Sequence, residues 1–526
     1  MAKRVILYDT TLRDGAQTEG ISFSVADKLQ ITEKLAALGV PFIEGGWPGA
    51  NPRETEYYKK VKRLKLGKSE VTAFGSTCRA GVKARDDAQL RHQLEAETKV
   101  ITLFGKSWDL HVRDALRVPM EENLRMIADS VGYLKKQGRT VMYDAEHFFD
   151  GYRANPAYAL KTLQAAVDHG ASVIILCDTN GGSLPSRIAK VVAEIRKRVH
   201  LPLGIHCHND SDTAVANSIA AVEAGVEQVQ GTVNGYGERC GNANLCSIIA
   251  DLQLKLGYPC VPPSGLKTLS EVSHFVAEVA NMRPEDHQPF VGSSAFAHKG
   301  GIHINAVMKN PKTYEHVEPG TVGNRRKLLI SEMGGKSTIL QRARDLRLKL
   351  EDPEEAKKIL KTVQELESQG YHFEAAEATF ELLMQRAYRR FKKFFELESF
   401  RVVVEKGKEG DVTSEATIRL RVNGVHEHTA AGGDGPVNAL DRALRKALLG
   451  FYPQLGDMHL VDFKVRDLES QAGTAAKVRV LIQSQDAADS WWTMGVHENI
   501  IEASWQALVD SIEYKLLKGK KGKRKK

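Results

Sequence analysis

The amino-acid sequence predicts an α/β fold: a (β/α)8 barrel over residues 1–266, helical linker subdomains over 267–397, and a C-terminal α+β domain over 398–517. Three observations support this prediction. Eight short apolar segments alternate with helical patterns in the first half of the chain, 526 residues are too many for one hydrophobic core, and the character of the sequence changes after residue 262. The last nine residues, "KGKKGKRKK" (518–526), are predicted to form a disordered basic tail.

The barrel is predicted from eight candidate strands, each followed by a helical pattern with a period of 3.6 residues. Two of these helices end at a glycine directly before the next strand, Gly39 and Gly225, as expected for a helix C-cap. Strict alternation over about 250 residues is typical of a closed barrel. The candidate strands are Val5–Asp9, Pro41–Gly45, Val71–Ser76, Val100–Phe104, Thr140–His147, Ser172–Thr179, Leu203–His208 and Gln228–Val233.

A doubly wound open sheet is the alternative for this alternating pattern. It would require a glycine-rich phosphate-binding turn after the first strand, but the residues there are "DTTLRDGAQ" (9–17). The glycine-rich run "GYGERCG" (235–241) follows the last strand instead. The sequence therefore favours the barrel and argues against a nicotinamide-dependent enzyme.

The second half of the chain contains a linker and a separate small domain. A glycine- and histidine-rich loop, "FAHKGGIHINAVMKNPKTY" (296–314), precedes a charged helical segment over 336–397. Two strand-rich stretches, about 400–423 and 459–484, each precede a helix. This repeat of two strands and one helix predicts an α+β unit that senses a ligand or mediates dimerisation.

The composition argues against membrane and nucleic-acid proteins. No segment approaches the roughly 20 apolar residues that span a bilayer, and the N-terminal apolar run is too short for a signal peptide. The net charge of +8 comes mostly from the seven basic residues of 518–526, so the folded body is nearly neutral. Six cysteines without a C-x-x-C pair indicate reduced thiols. We therefore predict a cytoplasmic protein that binds no nucleic acid.

Polar side chains stand at the ends of most predicted strands, where barrel enzymes carry their active sites. The most specific of these elements is "HCHND", in which His206 and His208 share one face of a strand and Cys207 faces the other way. With Asp14 nearby, the two imidazoles predict a divalent-metal site. Mixed nitrogen and oxygen ligands suit Zn²⁺, Mn²⁺ or Mg²⁺.

The residues beside this site suggest chemistry on a 2-oxo acid, whose carboxylate and ketone oxygens can both bind one metal ion. Arg13 is predicted to stabilise negative charge on the ketone oxygen, and Thr179 to hold the carboxylate. Glu146 lies among aromatic neighbours in "YDAEHFFDG", which are expected to raise its pKa into the range of an acid–base residue. A structural ion pair for Arg13 and a helix N-terminal carboxylate for Glu146 are the alternatives.

Three motifs resemble the signature elements of the 2-isopropylmalate, homocitrate and citramalate synthases. They are "DTTLRDGAQ", "HCHND" and "GYGERCGNANL", and each lies at a predicted strand end. The likeness extends over almost the whole chain, because the last domain resembles the regulatory domain of the amino-acid-controlled synthases. The same barrels occur in 3-hydroxy-3-methylglutaryl-CoA lyase and in the carboxyltransferase domain of pyruvate carboxylase, which lack this last domain.

The resemblance implies a Claisen condensation of acetyl-CoA with a 2-oxo acid, followed by thioester hydrolysis, in a homodimer. It implies that Asn242 joins the other metal ligands and that Arg13 and Glu146 are catalytic. In "GGIHINAV", His303 matches a family histidine that reaches the acetyl-CoA site. Ile304 and Asn305 stand where many relatives have Gln and Asp, so the identity of the proton-abstracting base stays open. The further residues implied in coenzyme A contact are Asn310 and Tyr314.

The substrate is predicted from two short segments, "FIEGGWPGANP" (42–52) and "YDAEHFFDGY" (143–152), which look more like the citramalate branch of this family than the isopropylmalate branch. Trp47 and Tyr143 would crowd the site and favour the methyl group of pyruvate over a branched side chain. The resemblance also implies isoleucine as a feedback effector. The alternatives are 2-isopropylmalate synthesis from 2-oxoisovalerate and a metal-dependent acyl-CoA lyase.

Overall fold

The computed structural model describes most of the chain. The described residues are 5–329, 339, 340, 343, 353–387, 391, 393–408, 410–468 and 476–523. They divide into two compact units, the first formed by residues 5–296 and 316–326, the second by 297–315 and the described residues from 327 onwards.

The first unit is a closed barrel of eight parallel strands in sequence order, in which the first strand pairs with both the second and the eighth. This confirms the predicted barrel, and every observed strand end lies within two residues of its predicted position. The strands are β1 Ile6–Asp9, β2 Phe42–Gly46, β3 Glu70–Ser76, β4 Val100–Lys106, β5 Thr140–Glu146, β6 Val173–Asp178, β7 Leu203–Cys207 and β8 Gln228–Gly231.

Helices surround the barrel. The first begins at a capping box on Ser24 and ends at Gly39, which has a φ of 95°. A Cβ atom on this residue would lie only 2.4 Å from Pro262 Cδ, so both the backbone conformation and the close approach require glycine. The helices are α1 Val25–Leu38, α2 Pro52–Val61, α3 Ala88–Glu95, α4 Asp109–His111, α5 Met120–Lys136, α6 Phe148–Ala154, α7 Pro156–Asp168, α8 Pro185–Arg196, α9 Ala214–Glu223, α10 Leu245–Ala250, α11 Pro263–Leu266 and α12 Leu269–Val279.

The alternation of side chains along each strand separates the barrel interior from the helix layer. On β5, Met142 packs inside the barrel with Tyr8 and Ile175. Val141 and Tyr143 instead join the large cluster between strands and helices. The even-numbered residues of β5, which include Met142, Asp144 and Glu146, therefore point into the barrel, and those at the end of the strand can reach its mouth.

Part of the predicted linker packs with the barrel. Helix α12 buries Val272 and Val276 in the main barrel core, and the Ser270 hydroxyl donates a hydrogen bond to the carbonyl of Val322 at 2.8 Å. Residues 297–315, between these two segments, belong to the second unit. The chain therefore passes between the two units three times, and the observed division falls inside the predicted linker at 267–397.

The second unit contains two strand-rich repeats, each consisting of a three-stranded antiparallel sheet and a helix. The sequence predicted only two strands per repeat, which was wrong: the third strands, "VHEHTAAGG" (425–433) and "SWWTMGVH" (490–497), lack a simple apolar alternation. The elements are β9 Ala297–His298, α13 Gly301–Lys309, β10 Lys327–Leu328, α14 Pro353–Ser368, α15 Glu377–Ala387, β11 Glu396–Lys406, β12 Val412–Val422, β13 Val425–Gly433, α16 Pro436–Leu448, β14 His459–Asp467, β15 Val478–Gln485, β16 Ser490–His497 and α17 Ile500–Lys523.

The predicted disordered tail is helical in its first part. Helix α17 continues to Lys523, so the prediction of disorder is wrong for residues 518–523, and 524–526 lie outside the described residues. Lys518 Nζ lies 2.9 Å from Asp489 Oδ2 and 4.8 Å from the ring centroid of Trp491.

In the part of the chain that the structure describes, no helix is both long enough and apolar enough to cross a membrane.

Candidate active site

A cavity of about 200 Å³ opens at the carboxyl ends of the barrel strands. All eight strands or the loops that follow them contribute to its lining, which places it where barrel enzymes carry out their chemistry. The lining residues are Arg13, Asp14, Gln17, Trp47, Phe74, Phe104, Asp144, Glu146, Cys177, Thr179, His206, His208 and Glu238.

Three of the predicted metal ligands lie together in this cavity. One ligand atom from each of Asp14, His206 and His208 lies within 4.8 Å of the other two, and all three residues are buried. His206 Nε2 is 3.3 Å from Asp14 Oδ2, and the two imidazole centroids are 5.2 Å apart. The two histidines share one strand face, as the sequence predicts.

The donor atoms of this cluster fit a divalent ion. Among the described residues, His208 Nδ1 and Asn242 Oδ1 are buried without a hydrogen-bond partner, which is costly unless another group binds there. The Asn242 side chain already contacts the cluster, because its Nδ2 donates to Asp14 Oδ2 at 2.8 Å. A half-turn of that amide would direct Oδ1 to the same place. Two imidazoles, a carboxylate and an amide oxygen form a donor set that suits Zn²⁺, Mn²⁺ or Mg²⁺.

The charges around the cluster favour the protonation states that bind metal. Burial alone would raise the pKa of Asp14, but the nearby charges of Arg13 and His206 lower it to about 2. Burial lowers the pKa of His206, and burial together with His206 lowers the pKa of His208 to about 3. At neutral pH the cluster therefore holds one carboxylate and two neutral imidazoles.

Acidification should destabilise the metal-free barrel through His208. Its pKa in the folded state is about 3, whereas a histidine in an unfolded chain protonates near about 6.5. Below the pKa of the unfolded state, the unfolded chain binds more protons than the folded protein. The free energy of unfolding therefore decreases as the pH is lowered, by up to about 1.4 kcal/mol per pH unit. Calorimetric unfolding between about pH 7 and about pH 5 measures this slope.

A shallower slope is expected for His208→Gln. The exposed His200 lies in the loop before the same strand, and His200→Gln should leave the slope unchanged. Equal slopes for the wild-type protein and His208→Gln would contradict the proton uptake assigned to His208.

Arg13 is fixed on three sides beside the cluster. Its Nε donates to Glu44 Oε1 at 2.5 Å, its Nη2 lies 3.5 Å from Asp14 Oδ2, and its guanidinium carbon lies 3.8 Å from the ring centroid of Phe74. Glu44 is itself held by the Tyr8 hydroxyl, which donates to Glu44 Oε2 at 2.7 Å. Arg13 thus makes the structural ion pair considered from the sequence and still lines the cavity.

Glu146 also lines the cavity, but its surroundings differ from those predicted. Lys106 Nζ lies 2.5 Å from Glu146 Oε2. Phe148 and Phe149 pack instead between strands and helices. The aromatic enclosure predicted from the sequence is wrong, because strand alternation and the start of α6 direct those rings away from the carboxylate.

Thr179 lies at the end of β6 with its hydroxyl oriented by the backbone. The His147 N–H donates to Thr179 Oγ1 at 2.9 Å, which leaves the hydroxyl hydrogen free to be donated to a ligand in the cavity. His147 has a φ of 56°, an uncommon conformation for a non-glycine residue and one that recurs at functional sites.

The aromatic wall of the cavity consists of Trp47, Phe74 and Phe104, whose ring centroids lie 5.3 to 6.0 Å apart. Trp47 was predicted to crowd the site, and it lines the cavity. Tyr143 was also predicted to crowd the site, and this prediction is wrong. Its side chain is fully buried in the helix-facing layer, with its hydroxyl against Gly105. Its parity on β5 is opposite to that of Asp144, so it does not face a ligand in the cavity.

The residues predicted to contact coenzyme A lie in the second unit. His303 is on α13, and its ring centroid is 4.2 Å from that of Tyr314. Asn310 follows α13, and its side-chain oxygen accepts a hydrogen bond from the Lys312 N–H at 3.1 Å. The structure thus brings His303 and Tyr314 together.

Sequence reasoning missed several residues around the cavity, including Phe74, Phe104 and Lys106. It also missed Gln230, which is buried on β8 and whose Oε1 accepts a hydrogen bond from His206 Nδ1 at 2.9 Å. A signal for Gln230 was present, because "QVQG" places two glutamines on one face of a strand that is otherwise apolar.

The comparisons with known proteins agree with this geometry. Residues 4–276 match the HMGL-like family, 290–371 match the homocitrate synthase post-HMGL domain-like family, and 374–516 match the LeuA allosteric (dimerisation) domain. The first match covers the barrel and its cavity. The barrel and its potential metal site therefore define a member of the HMGL-like class.

Relatives that match over nearly the whole chain show which family within the HMGL-like class the protein belongs to. The chain is 53% identical over 522 residues to the (R)-citramalate synthase of Aquifex aeolicus (strain VF5), covering 98% of this chain and 99% of that protein. It is 54% identical over 516 residues to that of Geobacter sulfurreducens, covering 98% of both chains. The 2-isopropylmalate synthase of Methanocaldococcus jannaschii is 31% identical over 524 residues, with 98% and 96% covered. The chain belongs to the (R)-citramalate synthase family.

Proposed function

We propose that this protein condenses acetyl-CoA with pyruvate and hydrolyses the thioester to give (R)-citramalate and coenzyme A, the first step of a pyruvate route to isoleucine. The observation that carries this proposal is the identity of 53–54% to (R)-citramalate synthases over nearly the whole chain, against 31% to a 2-isopropylmalate synthase. The enzyme is then an acyltransferase that converts an acyl group into an alkyl group on transfer.

The reaction consists of two steps. A base removes a proton from the acetyl methyl group, the resulting carbanion attacks C2 of pyruvate, and the carbonyl oxygen gains a proton as the carbon–carbon bond forms. Water then cleaves the thioester, leaving a carboxylate on the product and a thiol on coenzyme A.

Asp14, His206, His208 and Asn242 are the residues that would hold a divalent ion, Zn²⁺, Mn²⁺ or Mg²⁺. When bound, such an ion draws electron density from the carbonyl of a 2-oxo acid. The support for this assignment is the proximity of the three charged or imidazole donors and the unpartnered Asn242 Oδ1 in the described part of the chain.

Arg13 and Thr179 orient the 2-oxo acid. Arg13 projects into the cavity beside the cluster with its guanidinium fixed by Glu44. It is therefore preorganised to stabilise the negative charge that develops on the ketone oxygen. The Thr179 hydroxyl, whose oxygen already accepts the His147 N–H, donates its hydrogen to the substrate carboxylate.

Glu146 is the acid–base residue proposed on the barrel. It lines the same cavity as Arg13 and Thr179, and Lys106 holds one of its oxygens in place. Its carboxylate can take up and release a proton at the cavity wall. In the second unit, His303, Asn310 and Tyr314 remain the residues proposed to serve acetyl-CoA, with His303 as a catalytic histidine.

The aromatic wall supports a preference for pyruvate. Trp47, Phe74 and Phe104 line a cavity of about 200 Å³, and we expect them to crowd a branched substituent more than a methyl group. Release of coenzyme A should be faster with pyruvate than with 2-oxoisovalerate, by about tenfold or more, since each additional methylene changes binding by roughly 1–3 kcal/mol. A higher rate with the branched acid would refute the substrate assignment and favour 2-isopropylmalate synthesis.

Two variants sharpen this comparison. Phe104→Ala enlarges the cavity and should raise the rate with 2-oxoisovalerate relative to pyruvate. Tyr143→Phe alters an aromatic residue on the helix-facing side of β5, and the ratio of the two rates should stay at the wild-type value.

The second unit supports regulation by an amino acid and association into a homodimer, because residues 374–516 match the LeuA allosteric (dimerisation) domain. We propose isoleucine as the effector. Addition of isoleucine to the full-length protein should inhibit coenzyme A release, while the same concentration of glycine should leave the rate unchanged. Equal rates with and without isoleucine would contradict this effector.

A further inference from the structure

We infer that Gln230 is a positioning residue that fixes the tautomer of His206 and thereby directs Nε2 of this histidine to the metal cluster. The inference rests on the metal site proposed above.

Gln230 connects two groups across the barrel interior. It lies on β8 and is fully buried. Its Nε2 donates to Asp144 Oδ1 at 3.1 Å, and its Oε1 lies 2.9 Å from His206 Nδ1. The three side chains therefore form a continuous chain from β5 through β8 to β7.

The Gln230 amide has one defined direction in the structure, with Nε2 facing Asp144 and Oε1 facing His206. An amide has one donor end and one acceptor end, and Asp144 Oδ1 accepts the Nε2–H. The carbonyl oxygen Oε1 therefore faces His206. Because an oxygen acceptor requires a donor opposite, His206 must carry its proton on Nδ1.

The tautomer of His206 decides whether its other ring nitrogen, Nε2, can bind a metal ion in the cluster. With the proton on Nδ1, His206 Nε2 carries a lone pair and faces Asp14 Oδ2 at 3.3 Å. A histidine protonated on Nε2 would present a hydrogen to the cluster and would not bind an ion there. Hydrogen bonds to the remote nitrogen of a ligating histidine are known to set its tautomer, and their loss weakens metal binding by about 10- to 100-fold.

Gln228 provides a matched control on the same strand. It lies two residues before Gln230, so both side chains share one strand face, and it is also buried. Its Nε2 lies 3.5 Å from Met142 Sδ. Gln228→Met and Gln230→Met thus remove the same amide from neighbouring layers of the barrel interior. Of these two glutamines, it is Gln230 that is hydrogen-bonded to His206 in the described part of the chain.

The experiment measures Mn²⁺ affinity by competition with a chelator, after circular dichroism has shown that each variant is folded. Gln230→Met should bind Mn²⁺ about 10- to 100-fold more weakly than the wild-type protein, and Gln228→Met should match the wild type. Gln230→Glu keeps an acceptor oxygen for His206 Nδ1–H and should recover most of the loss. Wild-type affinity in Gln230→Met, or an equal loss in Gln228→Met, would overturn the inference.

A second measurement reads the tautomer in the wild-type protein and needs no substitution at Gln230. Nitrogen-15 NMR of the metal-free protein, assigned with His206→Gln, should show His206 protonated on Nδ1 and unprotonated on Nε2. The opposite tautomer would overturn the role of Gln230. A wild-type protein that binds no Mn²⁺, Zn²⁺ or Mg²⁺ would instead refute the metal site, while this tautomer measurement would still test the orientation of His206.

Discussion

Replacing Arg13 by lysine should lower kcat for citramalate formation by about a hundredfold or more, with a smaller change in KM for pyruvate. Arg13 contacts Glu44 through Nε, approaches Asp14 through Nη2 and stacks on Phe74. Lysine has a single charged nitrogen and cannot keep these contacts while facing the substrate. A preorganised donor to a developing oxyanion is worth about 10²- to 10³-fold in kcat.

Steady-state kinetics with pyruvate and acetyl-CoA measure this effect. Arg85→Lys, which changes an exposed arginine of the same barrel, should leave kcat and KM unchanged. An increase in KM with an unaltered kcat for Arg13→Lys would mean that Arg13 only binds the ground-state substrate, and the proposed role in charge stabilisation would be wrong.

Replacing His206 by alanine should abolish turnover and the retention of a divalent ion. His206 is one of the three clustered donors, and its loss leaves Asp14 and His208 as the remaining pair. Elemental analysis of the purified protein measures bound metal, and coenzyme A release measures turnover. His200→Ala, which removes an exposed histidine before the same strand, should retain both metal and activity.

Chelation tests the same site without a substitution. Exhaustive dialysis of the wild-type protein against a chelator should remove its activity, and Zn²⁺, Mn²⁺ or Mg²⁺ should restore it in His200→Ala but not in His206→Ala. Full activity after chelation would argue against a metal ion in the reaction.

The barrel and the proximity of its polar residues were predictable because both depend on local patterns. Strand and helix periods are encoded in adjacent residues, and parallel strands bring their carboxyl ends to one face of a barrel. This is why Asp14 and His206, separated by almost two hundred residues, could be placed together from the sequence. The parity of β7 likewise predicted that His206 and His208 lie on the same face of the strand.

The residues that sequence reasoning misplaced depend on non-local packing or on the exact start of a strand. Tyr143 was assigned to the site from the segment "YDAEHFFDGY", as an aromatic residue that crowds the substrate. It lies one residue before Asp144, and one step along a strand reverses the direction of a side chain. Lys106 and Glu146 come from different strands, and only the register of β4 against β5 places them opposite each other. The hydrogen bond between Gln230 and His206 depends on the same kind of register between strands.

The repeated passage of the chain between the two units affects how such enzymes can be recombined. Residues 316–326 return to the barrel unit after 297–315 have joined the other unit, so neither unit is encoded by one uninterrupted stretch of the gene. A chimaera joined at a single crossover near residue 300 would combine barrel residues from one parent with their packing partners, such as Val322, from the other. When regulatory regions are exchanged between relatives, we expect folding to be preserved only if residues 316–326 come from the parent that supplies the barrel and residues 297–315 come from the parent that supplies the second unit.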